Sequence, residues 1–152
     1  MTHPFTHADE IAAYLSTVMS GITKANGFHT DIGIESVFRG RKKIDDGQVP
    51  CAVIIEGEDR PGGAAGRESV KLDQDYVLGG YDECDPDQPN DKAHLILKDI
   101  KKAIFKDGPR MGGRVMNVTY RGRDIGPRAD GGAIVFAVVY ITISFVETLT
   151  DP

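Results

Sequence analysis

The chain has 152 residues, 40% of them hydrophobic and 27% charged, which fits a single domain spanning residues 1–152. Folding at that size buries roughly 70% of the unfolded chain's surface, so neither a metal nor a disulfide framework is needed to hold a core. A net charge of −5 and a pI near 5.3 argue against a general nucleic-acid binder, which carries a basic field.

Asp9 and Glu10 interrupt any apolar run at the N-terminus, so no signal peptide is expected and the protein is assigned to the cytosol. Thr6 and Asp9 form a Thr-x-x-Asp capping pattern that predicts a helix start. Ile11, Tyr14, Leu15, Val18, Met19 and Ile22 then recur at helical spacing as one apolar stripe, closed by Asn26-Gly27. Alternation follows. Thr30, Ile32, Ile34, Ser36 and Phe38 face one way and Asp31, Gly33, Glu35 and Val37 the other, predicting a strand with one buried face.

A polar turn through Arg39–Lys43 and Asp45-Asp46-Gly47 leads to a second strand, Cys51 to about Glu56. Gly57 to Gly66, with Pro61-Gly62-Gly63, predicts a mobile loop. A third strand carries Val70, Leu72, Tyr76 and Leu78 on one face. The acidic segment 82–90 opens a second helix, about Asp91 to Lys106, with Ala93, Leu97, Ile100 and Ile104 on its buried side. Lys98, Lys101, Lys102 and Lys106 complement the dipole in its later turns.

Val115 to Tyr120 predicts a fourth strand, Arg121 to Gly132 an arginine-rich link, and Ala133 to Glu147 a long last strand. That strand is apolar on both faces at first. Later Ile141, Ile143 and Phe145 alternate with Thr142 and Ser144, so one half is expected to be covered and the other to have a wet face. Its uncharged stretch, Ala133 to Val146, falls short of the roughly 20 residues of a membrane helix. The order α-β-β-β-α-β-β predicts an α+β fold, a mostly antiparallel or mixed sheet with two packed helices. A last strand this long is expected to outreach its sheet and offer an edge to a neighbour.

Residue types for chemistry are present without the spacing that chemistry needs. The nearest approach to a phosphate loop, Gly57 to Gly63, has glycine where lysine is required. The doublets Gly62-Gly63, Gly79-Gly80, Gly112-Gly113 and Gly131-Gly132 read as turns. His3 and His7 stand one helical turn apart with no third ligand near, and His94 reads as a helix surface residue. Asp85-x-Asp87 opens like a calcium loop, but Asn90 and Ile96 occupy its glycine and glutamate positions. Cys51 reads as a small buried hydrophobe and lies far from Cys84. No serine occupies a Gly-x-Ser-x-Gly elbow. No catalytic, cofactor-binding or metal-binding residue is therefore assigned, and the reading is of a non-enzyme.

Charge is segregated instead. Arg39, Arg41, Lys42 and Lys43 form one basic cluster; Arg110, Arg114, Arg121, Arg123 and Arg128 form another; Asp82, Glu83, Asp85, Asp87 and Asp91 lie between. Two readings stand side by side: solvated loops, or self-complementary patches that steer subunits into register. The second makes Arg39, Arg41, Lys42, Asp82, Glu83, Asp85, Asp87, Arg121, Arg123 and Arg128 candidate interface residues. It places the acidic loop 82–91 across a subunit boundary from segment 39–43 or 110–128.

Over residues 7–147 the chain resembles the tail terminator (tail completion) proteins of long-tailed bacteriophages. The resemblance runs through Ala25-Asn26-Gly27-Phe28, Phe38-Arg39-Gly40-Arg41, Val49-Pro50-Cys51 and Ile54-Ile55-Glu56-Gly57-Glu58. It continues in His94-Leu95-Ile96, Asp99-Ile100-Lys101, Tyr120-Arg121-Gly122-Arg123 and Pro127-Arg128-Ala129-Asp130-Gly131-Gly132. What it implies is a hexameric ring that caps the tail tube, stops its polymerisation and offers a docking surface to the head-side connector. DNA would cross the lumen transiently, and the site of action would be the head-proximal end of the virion tail. A neighbouring neck, connector or minor tail protein is the alternative. A small enzyme with a site built from loops, or a nucleic-acid module using the arginine segments, stands further off. Loops 57–67 or 121–132 are expected to order on contact with tube or connector.

Overall fold

The computed structural model describes residues 3–40, 44–64, 66, 68–126 and 132–152. Helix α1 is Ala8–Ser20 and α2 is Pro89–Phe105; the strands are β1 Val37–Arg39, β2 Cys51–Ala64, β3 Ser69–Glu83, β4 Asn117–Ile125 and β5 Ile134–Thr148. The fold is α+β, in the order read from the sequence. The sheet runs β1-β2-β3-β5-β4. Only the β1–β2 pair is parallel, and the other three pairs are antiparallel.

Helix α1 starts one residue later than Thr6 implied. His7 is its N-cap, and the Glu10 carboxylate accepts the His7 N–H at 3.2 Å. Ile11, Leu15, Val18, Met19 and, just beyond the helix, Ile22 are buried as the stripe predicts. Gly27 takes the left-handed conformation (φ 89°), but it closes a short 3₁₀ turn, Lys24–Asn26, because α1 has already ended at Ser20. In α2, Pro89 stands at the helix start, and Ala93, Ile96, Leu97, Ile100, Ala103 and Ile104 are buried.

Both helices cover the same side of the sheet. Their buried residues form one cluster with Ala52 and Ile54 of β2, Leu72, Tyr76 and Leu78 of β3, and Val135, Ala137, Val139, Ile141, Ile143 and Phe145 of β5. The alternate residues of these strands point to the other side, where no helix lies among the described elements. Among the described elements, both helices thus form a single layer on one face of the sheet.

Three expectations are corrected. The strand predicted over 30–38 is only Val37–Arg39. Before it, Thr30 is fully buried and its N–H and hydroxyl both donate to the Asp99 carboxylate of α2. Gly33 N–H donates to Ile22 O, and a Cβ there would lie 2.1 Å from Met19 O, so this segment wraps the end of α1 instead of entering the sheet. The loop predicted at 57–66 is regular strand as far as Ala64, paired with β3. Register shifts at Glu56/Asp59 and Pro61/Gly63 absorb the extra residues, and an outer strand tolerates a proline that lacks an N–H.

The Gly79-Gly80 doublet is not a turn but the middle of β3. A Cβ on Gly80 would meet Ile32 at 2.8 Å and Ile96 at 2.9 Å, and one on Gly79 would meet Phe136 at 2.7 Å on the opposite face. Glycine here lets both faces pack against the backbone. Two smaller corrections concern the last strands. β4 extends from Asn117 to Ile125, taking in Arg121 and Arg123 from the predicted link. β5 does not outreach β3, since it pairs from Ser69↔Thr148 to Glu83↔Ile134; on its other side β4 reaches only from Ala137 to Ser144.

Candidate assembly surfaces

The charged residues singled out in the sequence scatter over the fold. Asp82 lies at the end of β3, its carboxylate 3.7 Å from Lys92 Nζ. Burial pushes its carboxyl up, against the pull of the Glu83 N–H and of Lys92. Glu83 is exposed, and Asp85 and Asp87 form an exposed turn in which the Asp85 carboxylate accepts the Asp87 N–H at 3.0 Å. Arg39 is exposed on β1, 3.9 Å from Glu56. Arg121 and Arg123 are exposed on β4. Arg41, Lys42, Lys43 and Arg128 lie outside the described residues, as does most of the predicted link after Gly126. Among the described residues, no ion pair joins the acidic loop to either arginine segment. The pairing Arg39↔Ile54↔Leu78↔Val139↔Arg123 instead sets Arg39 and Arg123 at opposite margins of the sheet.

The uncovered sheet face has two halves. One is polar and centred on Asp75. Arg60 binds its carboxylate through both terminal nitrogens, at 2.6 and 2.9 Å. The Thr142 hydroxyl donates to it at 2.7 Å, and Arg121 Nε stands 3.7 Å away. These cations and donors, Arg60 first, hold the Asp75 carboxyl down at about 2 against the opposing effect of burial. Next to it the Ser144 hydroxyl donates to Asp73 at 2.5 Å. Arg60, Lys71, Asp73, Asn117, Thr142 and Ser144 line a shallow hollow of about 450 Å³. An ionised carboxylate saturated in this way serves as an anchor for neighbouring strands. Sequence reasoning missed Arg60, Asp73 and Asp75. The run Lys71, Asp73, Asp75 alternating with Leu72 and Tyr76 is the available signal, but the glycines and proline around Arg60 predict a loop there.

The other half is apolar. Tyr81 and Phe136 stack at 4.2 Å with an interplanar angle of 19°. Phe136 and Val138 lie over the side of Gly79, beside Val53. Val53 and Val138 are buried, outside the helix-covered cluster. Ile55, Val77 and Tyr140 around them are half-exposed.

The sheet's outer edges are the third feature. β1 pairs with β2 only from Ala52 to Ile54, extended by the Gly40 N–H donating to Ile54 O. From Ile55 onward the outer side of β2 has no backbone partner among the described residues. At the opposite margin Val118 N–H donates to Pro109 O at 2.6 Å. From Thr119 to Ile125 the outer side of β4 likewise has no backbone partner among the described residues.

Among the described residues, no group of three or more histidine, cysteine, aspartate or glutamate side chains could hold a metal. Among the same residues no helix is long and apolar enough to cross a membrane. Cys51 is buried in β2, and burial pushes its thiol up to about 11. The chain matches no protein-family model and no curated protein.

Proposed function

We propose that the chain is a structural subunit of a bacteriophage tail, a tail terminator. Copies associate into a ring, hexameric by the resemblance, that caps the tail tube, halts its growth and receives the head-side connector. DNA passes through the lumen without being read. One observation carries the reading of an assembly subunit: both helices lie on one side of the sheet, leaving the opposite face, half of it apolar, uncovered by any described element. A monomeric enzyme of this size has no need to expose such a face, whereas a ring subunit must contact neighbours, tube and connector. The resemblance running along residues 7–147 supplies the identity of those partners.

Two measurements test this. The mass of the purified protein, alone and with tail tube protein, should rise to that of a ring or of ring-capped tubes. Particles made without the chain should carry tails of irregular length or heads without tails. Normal tails properly joined to heads in its absence would remove the proposal.

A further inference from the structure

We infer that copies of this chain join edge to edge, the outer side of β2 in one copy pairing antiparallel with the outer side of β4 in the next. The inference rests on the ring reading and names the surface that would close it. Alternation of strand directions sets the geometry. β2, β3, β5 and β4 run successively antiparallel across the sheet. A neighbour in the same orientation therefore brings its β2 to the outer side of β4 in the opposite direction. Such a contact uses a different patch on each copy, the head-to-tail arrangement that forms rings when its rotation closes.

Charge selects this pairing over the alternatives. The free run of β2 carries Glu56, Glu58 and Asp59, all exposed, then Arg60, whose charge is taken up by Asp75, before Pro61 removes an N–H; Glu56 has Arg39 3.9 Å away. The free run of β4 carries Arg121 and Arg123, also exposed, followed by Asp124; Arg121 reaches Asp75 only at 3.7 Å, and Arg123 has no ion pair among the described residues. Two β2 edges would set acids against acids, and two β4 edges arginines against arginines. Exposed edges guarded by charge resist pairing with their own kind, but these guards have opposite signs and attract each other.

Register agrees as well. Glu56 shares its side of the sheet with Tyr76 and Ile141, and Arg123 shares the same side with Val139. An antiparallel alignment with Glu56 opposite Arg123 sets Glu58 opposite Arg121. It also aligns the β2 irregularity between Glu56 and Asp59 with the β4 irregularity between Tyr120 and Gly122. The acidic loop 82–91, the partner expected from sequence, ends a strand in an Asp85–Gln88 turn and has no edge to offer β4.

The test is a charge swap in the full-length chain. Glu56→Arg and Arg123→Glu should each raise the concentration for half-assembly by roughly tenfold, with unfolding midpoints unchanged. Mixing the two variants, or combining both changes in one chain, should restore assembly. Independently, Glu58→Cys mixed with Arg121→Cys should give a disulfide-linked dimer of the two variants under mild oxidation. Assembly that ignores both single reversals, with no cross-link, overturns the edge assignment and leaves the ring reading standing. Wild-type chain that stays monomeric both alone and with tail tube protein overturns the ring reading, and this inference with it.

Discussion

Removing the Asp99 carboxylate tests how the chain replaces a predicted strand by an anchored coil. Asp99 is fully buried in the middle of α2. It accepts the His29 N–H at 2.9 Å, the Thr30 N–H at 2.8 Å and the Thr30 hydroxyl at 2.6 Å. Asp99→Ala leaves two backbone donors and a hydroxyl without their acceptor. Each unsatisfied buried group costs about 1–3 kcal/mol. His29 is only partly buried and can turn to water, so the sum comes to about 3–5 kcal/mol. For a domain near this size that is a drop in midpoint of about 10 °C, at about 2–4 °C per kcal/mol. Asp99→Asn keeps one acceptor but turns an amide N–H₂ toward a donor, and should lose about half as much. Urea and thermal unfolding measure both variants, and limited proteolysis should show new cleavage between residues 28 and 36. A loss below about 1 kcal/mol for Asp99→Ala, with the segment still protected, would mean that packing of Ile32 holds it and the carboxylate is incidental.

Three further outcomes follow from the same geometry. The folded Asp75 carboxyl is held at about 2, below the ordinary 3.8. Its stabilising contribution is therefore complete above that ordinary value and lost as pH falls through about 2; Asp75→Asn should flatten the acid limb of a stability-against-pH curve between those limits. Gly80→Ala places a methyl against Ile32 and Ile96 and should destabilise by about 1–3 kcal/mol in urea unfolding, as overpacked cores do. With a thiol reagent near pH 8, the half-buried Cys84 should react in the native protein while the buried Cys51 stays protected until denaturant is added. Equal reaction of both would refute the placement of Cys51.

The helices and the two long strands were legible because periodicity is a local property. Ile11, Leu15 and Met19 repeat at helical spacing, and Leu72, Tyr76 and Leu78 recur on one side of β3 whatever lies around them. The misreadings have non-local causes. Thr30, Ile32 and Ile34 alternate as a strand would, yet the residue that decides their fate is Asp99, far along the chain. Pro61-Gly62-Gly63 carries a strong turn signal that loses to bulges on an outer strand and to Arg60 binding Asp75 from the adjacent strand. The glycine pair in β3 looks like a bend because nothing nearby in sequence reveals that Phe136 and Ile96 crowd its two faces.

Legibility of the surfaces divides along the same line. Clusters of acids and arginines are visible in a sequence, but which of them face each other depends on strand order. Insertion of β5 between β3 and β4 makes β4 a margin of the sheet, and the shortness of β1 leaves most of β2 as the other. Neither fact has a local signature. Thr142 and Ser144 predict a wet face on the later half of β5, but Thr142 is buried against Asp75, and the partners Asp75 and Asp73 emerge only from register. That register also separates the roles of the two halves. In the polar half Asp75 is already neutralised by Arg60 and Arg121, so an arriving partner gains little Coulomb energy there and must still displace water. In the proposed ring, favourable association would come from the apolar half around Ile55, Val77 and Tyr140 and from the unlike charges and backbone groups left unpaired among the described residues at the edges. On the proposed ring reading the polar hollow would set orientation, because a wrongly placed partner would strand its paired ions without water.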